Sequence, residues 1–170
     1  MQKITKIITE ILRIVLITLM SVIVIDVTWQ VFTRFIMKDP SSFTEELAGF
    51  LLIWIGLLGA SYALYTKAHL GIDILTTKLN GIRKKTVEII IPVIVFLFTL
   101  FILVIGGIRL VNITFTLNQI SPAIGIPMGY VYLVLPITGV LMMYYSVVSI
   151  VNVIRQKSAD ELEHKINPID

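Results

Sequence analysis

The chain has 170 residues, of which 56% are hydrophobic and 15% charged, and its mean hydropathy is +0.93. A soluble domain is about a quarter charged, and a core of this size cannot hide so much apolar surface, which argues against a soluble globular enzyme. The lack of cysteine excludes thiol oxidases, iron–sulfur proteins and every thiolate metal site.

Lys3 and Lys6 precede a long apolar run. It contains Asp26 and no small-x-small cleavage pattern follows it, so it reads as a retained first span, 11–36. A polar break holding Lys38, Asp39 and Pro40 separates it from a second span, 43–65, in which residues 47–66 carry no charge. A polar link follows. Within it Ile72, Leu75, Leu79 and Ile82 recur at spacings of three and four, which predicts an amphipathic helix over 70–82, lying in the membrane interface and too short to cross it. The third span is 87–113, and an uncharged loop rich in Pro, Gly and Ser leads to the fourth, 128–154. A bilayer-crossing helix needs about 20 mostly apolar residues, and each of the four runs is long enough. The reading is one all-α membrane domain, 1–157, with four transmembrane helices and one interfacial helix, then a polar tail, 158–170, frayed or weakly helical.

Eleven of the fourteen basic residues fall in the N-terminal end, the middle link and the tail, against three (Arg34, Lys38, Arg109) on the other side. Positive residues stay in the cytoplasm, so both termini are expected inside. The net charge of +3 thereby reads as a topology signal and not as a nucleic-acid footprint.

Few residues are left for chemistry. Asp26 lies deep in the first span, with Gln30 and Arg34 following at i+4 and i+8. A carboxylate there is costly to insert. Two readings are open: a proton or substrate site, or a polar seam against another helix, with Asp26 satisfied by Gln30 or a partner side chain. Trp29 and Phe32 lie nearby and are expected on different faces. Ser42-Phe43-Thr44-Glu45 reads as a capping box, and Glu46 adds charge at the helix start, with a basic group on a partner subunit as its other possible target. Gly56 with Ala60 and Gly59 with Ala63 form small-xxx-small pairs that admit another helix. Trp54 sits in mid-span, away from the interfacial belts, and points to a protein contact. His69 and Asp73, four apart, make a weak metal pair with no third ligand nearby, and an interfacial contact fits them better. Pro136, followed by Gly139, should bend the fourth span, whereas Pro92 falls in the first turns of the third.

The series Arg34-Phe35, Phe43-Thr44-Glu45-Glu46-Leu47-Ala48, Trp54, Leu58-Gly59-Ala60 and His69-Leu70-Gly71-Ile72-Asp73 resembles the small membrane subunit, DctQ type, of tripartite ATP-independent periplasmic (TRAP) transporters. So does a second stretch, Ser121-Pro122-Ala123-Ile124-Gly125-Ile126-Pro127 with Tyr130, Leu135-Pro136-Ile137 and Gly139. Phe43 departs from the family, which often has tryptophan there, and the tail 158–170 is not covered. The resemblance implies a bacterial inner-membrane, sodium-driven transporter of organic acids, of the C4-dicarboxylate or sialic acid type. A large membrane subunit would carry the substrate and sodium sites, and a periplasmic binding protein would deliver substrate. This chain would be a scaffold that helps dock that protein, binding no cofactor and no substrate itself and contacting lipid. Arg34, Glu45, Glu46, Trp54, Gly59, His69 and Asp73 would then be contact and fold positions, with Pro127 and Pro136 shaping the second stretch. The competing reading is a stand-alone proton-coupled exporter that uses Asp26.

Overall fold

The computed structural model describes residues 2–38, 41–66 and 82–166. Helix α1 is Gln2–Phe32 and runs into a π-helical turn, Thr33–Met37. Helix α2 is Ser42–Tyr65. The third crossing is built from α3 (Ile82–Phe98), a π-helical stretch (Thr99–Gly106) and α4 (Gly107–Thr116); the fourth from a short α5 (Met128–Tyr132) and a long α6 (Val134–Ile166). Lys3–Met37, Ser42–Tyr65, Val87–Thr116 and Met128–Ile154 are long and apolar enough to cross a membrane. In lipid, every backbone polar group must be bonded within its own segment, and helix is the form that does this without a partner.

Several boundaries differ from those expected. The first helix starts at Gln2 rather than near residue 11, because nothing in the first ten residues breaks a helix. The third starts at Ile82, which puts Pro92 inside the helix and not in its first turns. The fourth continues past residue 154 to Ile166, through part of the tail. The interfacial helix expected over 70–82 lies outside the described residues, except for Ile82, which opens α3.

The first, second and fourth spans share a core. Leu12, Leu58, Val134 and Tyr145 are buried together, with Trp54, Leu57 and Tyr144 packed around them. Among the described residues span 3 packs chiefly against span 4. At one end of the bundle the chain start meets span 4, where Thr5 Oγ1 shares a hydrogen bond with the Tyr144 hydroxyl (2.8 Å) and Thr9 Oγ1 with the Tyr145 hydroxyl (3.1 Å). At the other end, α2 begins beside the loop between spans 3 and 4, as the Glu46 contacts below show.

The interior is small and polar. Among the described residues ten buried side chains are polar or charged and seven are hydrophobic, whereas Ile25 and Phe35 are 70% and 71% exposed. Lipid tails are as apolar as leucine, so burying leucine brings no advantage there, and close packing with hydroxyl contacts holds the helices instead.

Candidate functional site

The most elaborate polar cluster is built on Glu46. Helix α2 places this side chain one turn in from its start, facing the loop that joins spans 3 and 4. Oε2 of Glu46 accepts three hydrogen bonds from that loop: from Ser121 Oγ (2.5 Å), Ala123 N–H (2.9 Å) and Ile124 N–H (3.0 Å). The loop is organised to present these donors. Ser121 N–H bonds to Ile126 O (2.9 Å), Met128 N–H to Gln119 O (2.8 Å) and Gly125 N–H to Ser121 O (2.9 Å), around a bridge between Ile120 and Pro127. Gly125 sits at φ +77°, where a side chain would strain the backbone. The result is a tight turn whose amides converge on one carboxylate oxygen, as in an anion-binding nest, with the anion supplied by the chain's own α2. Pro127, extended at φ −62° and ψ 125°, ends the loop and caps α5.

The structure therefore corrects the reading of the α2 start. Ser41, not Ser42, is the cap residue, and neither makes a side-chain cap bond. Thr44 Oγ1 donates to Ser41 O instead (2.9 Å), so no capping box forms. Glu45 lies in the first turn, where its charge opposes the positive helix end, and its side chain is exposed.

Asp26 lies on the packed face of α1. Leu12, Leu16, Leu19, Ile23, Asp26, Gln30 and Thr33 recur at spacings of three and four, and each is buried or half-buried. Asp26 is 8% exposed and its Oδ2 has no hydrogen-bond partner, so Gln30 does not satisfy it as expected. The stripe also ends sooner than the i+8 spacing suggests. Thr33, at the start of the π-helical turn, takes the next place on the packed face, and its neighbour Arg34 is exposed, its guanidinium 6.0 Å from the Phe35 ring centre. Trp29 and Phe32 do not point apart: their rings stack at 5.7 Å on the exposed flank of α1. An open groove of about 620 Å³ on this helix is lined by Ser21, Val24 and Ile25 among others and does not include Asp26.

Trp54 makes the contact its position suggested. Its indole N–H donates to Val131 O (3.1 Å), beside a break in span 4 at Leu133. Pro136 lies at the start of α6 and has no N–H to offer the Tyr132 carbonyl, which fits the interruption. The small-residue stripe of α2 behaves differently from expectation. Among the described residues a Cβ on Gly56 or Gly59 would meet nothing within 4 Å, so no described helix approaches closely there, and Ala60 is half-buried. The close approaches are at Gly107, whose Cβ would lie 3.1 Å from Pro136 Cδ, at Gly129 against the Phe115 ring (2.5 Å), and at Gly139 against Val104 Cγ2 (2.7 Å). Overpacking costs about 1–3 kcal/mol. Gly139→Ala should therefore lower the melting temperature of the purified chain in detergent, and Gly59→Ala should leave it unchanged. Equal melting of the two variants would refute this account of the span 3–span 4 contact.

His69 and Asp73 lie outside the described residues. Among the described residues, no three His, Asp or Glu side chains converge as a metal site would need.

Residues 22–156 match the family described as tripartite ATP-independent periplasmic transporters, DctQ component. The chain belongs to the DctQ family. It is 28% identical over 151 residues to the sialic acid TRAP transporter small permease protein of Vibrio cholerae, covering 88% of this chain and 85% of that one. It is 30% identical over 100 residues to the C4-dicarboxylate TRAP transporter small permease protein of Rhodobacter capsulatus, covering 59% and 44%. It is also 33% identical over 120 residues to the sialic acid TRAP transporter permease protein of Haemophilus influenzae, covering 68% of this chain but 18% of that protein. In that relative the DctQ-like part is a fraction of a much longer permease chain. This DctQ-type chain is thus a small permease component, multi-pass in the bacterial inner membrane, and not an enzyme. DctQ-type small subunits work with a large permease subunit.

Proposed function

We propose that this chain is the scaffold subunit of a sodium-coupled TRAP transporter for an organic acid of the sialic acid or C4-dicarboxylate class. The large permease subunit binds substrate and sodium, and this chain binds neither. The observation that carries the reading is the match to small permeases that transport such acids in other bacteria, on a chain whose described interior holds hydroxyls and one carboxylate but no converging charged cluster. Both termini face the cytoplasm on the basic-residue bias, so the Glu46-held loop faces the periplasm. There it helps dock the binding protein, with Leu117 and Ile120, each 62% exposed, as contact surface.

The test is uptake into proteoliposomes under a sodium gradient. Uptake is expected only when this chain, the large subunit and the binding protein are all present. Transport by this chain alone, driven by a proton gradient, would replace the scaffold reading with the exporter that uses Asp26. No present observation favours that exporter: Asp26 faces the seam and the stacked Trp29–Phe32 pair is exposed.

A further inference from the structure

Span 3 turns Thr99, Leu103, Gly107, Val111 and Thr114 inward, toward span 4. Arg109, Asn112 and Thr116 lie on the opposite side of the helix and are exposed. The Thr116 hydroxyl is spent on Asn112 O (2.8 Å). The Arg109 guanidinium and the Asn112 amide have no protein partner among the described residues. Arg109 sits seven residues before the end of α4, about 10 Å along the axis. Beyond it the chain carries no charge through residue 154, but it is more polar than below, with Asn112, Thr114, Thr116, Asn118, Gln119 and Ser121 following, against Thr99 alone between 89 and 108.

The outer side of span 1 is different. Thr18, Ser21 and Thr28 are exposed there, and each hydroxyl is already donated to a carbonyl one turn back (2.9, 2.9 and 2.6 Å). That surface suits lipid. A guanidinium about two turns inside the helix end does not, unless it reaches the headgroups or an acceptor on a neighbouring protein, where its planar fork can engage a carboxylate or paired carbonyls.

We propose that the free edge of span 3 is the docking surface for the large permease subunit, with Arg109 as its anchor on an acceptor group of that subunit and Asn112 as a second polar contact. The proposal rests on the scaffold reading above. The occupant is chosen on two grounds: the unmet charge of this edge, and the Haemophilus relative, in which the matching region occupies 18% of one longer permease chain and so has the rest of a permease tethered beside it.

The test uses the full chain co-expressed with a tagged large subunit. A photo-crosslinking residue at position 112 should capture the large subunit, and one at position 18 should not. Arg109→Leu should insert at the wild-type level yet bind the large subunit about thirtyfold or more weakly on purification, the loss expected for stripping one partner from a desolvated charge pair. Arg109→Lys should recover part of it. Wild-type assembly of Arg109→Leu overturns the proposal, as does capture at position 18 with only lipid captured at 112. Should Arg109→Leu fail to insert, the crosslinks in the Arg109 chain decide alone. Should the unmodified chain not co-purify with the large subunit at all, the scaffold reading fails and the docking surface with it.

Discussion

Glu46→Ala is expected to free the loop between spans 3 and 4 and to abolish most uptake by the assembled transporter. Three donors meet at one carboxylate oxygen; alanine takes it away from the Ser121 hydroxyl and the Ala123 amide, and leaves the Ile124 N–H only its longer bond to Ser121 Oγ (3.2 Å). The Ser121 hydroxyl can turn to a neighbouring carbonyl, but the Ala123 and Ile124 amides are fixed by the turn. Amide exchange of these two residues in the purified chain should be on the order of tenfold faster, because local opening sets exchange. Glu46→Gln keeps one carbonyl oxygen and loses the charge, so it should fall between wild type and alanine. Ser121→Ala removes one donor to Glu46 and the second acceptor of the Ile124 N–H, and should be milder than Glu46→Ala, which removes the acceptor shared by all three donors. Fast exchange with normal uptake would separate the latch from docking, leaving Glu46 with a structural role only. Unchanged exchange at both amides in Glu46→Ala would show that something other than this carboxylate holds the loop.

The latch also marks the limit of what could be read from the sequence. Helices and their order were legible because bilayer thickness imposes a length on every crossing and charges are kept out of it. Glu46 was singled out as an acid near a helix start, which is a local pattern. Its partner Ser121 is 75 residues away, and no local spacing links a glutamate to the amides of a distant turn. Trp54 was legible as a protein contact from its depth alone, although its acceptor, the Val131 carbonyl, was not. The glycines misled for a related reason. Gly56 and Gly59 have the right spacing for close approach, but spacing says nothing about which face meets a neighbour. Gly107, which does carry a close contact, has no small residue four positions away to mark it. The Thr5–Tyr144 and Thr9–Tyr145 bonds, joining the chain start to span 4, have no sequence marker because threonine and tyrosine are ordinary in spans. The π-helical turn at Thr33 had no sequence marker either.

Asp26→Asn is expected to retain sodium-driven uptake in the assembled complex, and Asp26→Leu to raise the melting temperature of the chain. The argument starts from location. The carboxyl group is on the seam between Ile23 and Gln30, and the open groove on α1 passes along another face. Asp26 is 8% exposed on the packed face of α1 and does not line that groove. The energetic side points the same way. An unpartnered buried polar atom costs about 1–3 kcal/mol, and an acid at a helix centre costs about 2.5–3.5 kcal/mol on insertion scales. An apolar side chain of similar size removes both costs while keeping the seam filled, so leucine should stabilise. A proton-coupling residue predicts a different pair of results. Asparagine would then assemble normally and lose uptake, because it fills the same volume but does not titrate. Measuring assembly and uptake together on the Asp26→Asn complex therefore decides between seam and carrier, with the melting temperature of Asp26→Leu as an independent check on the seam.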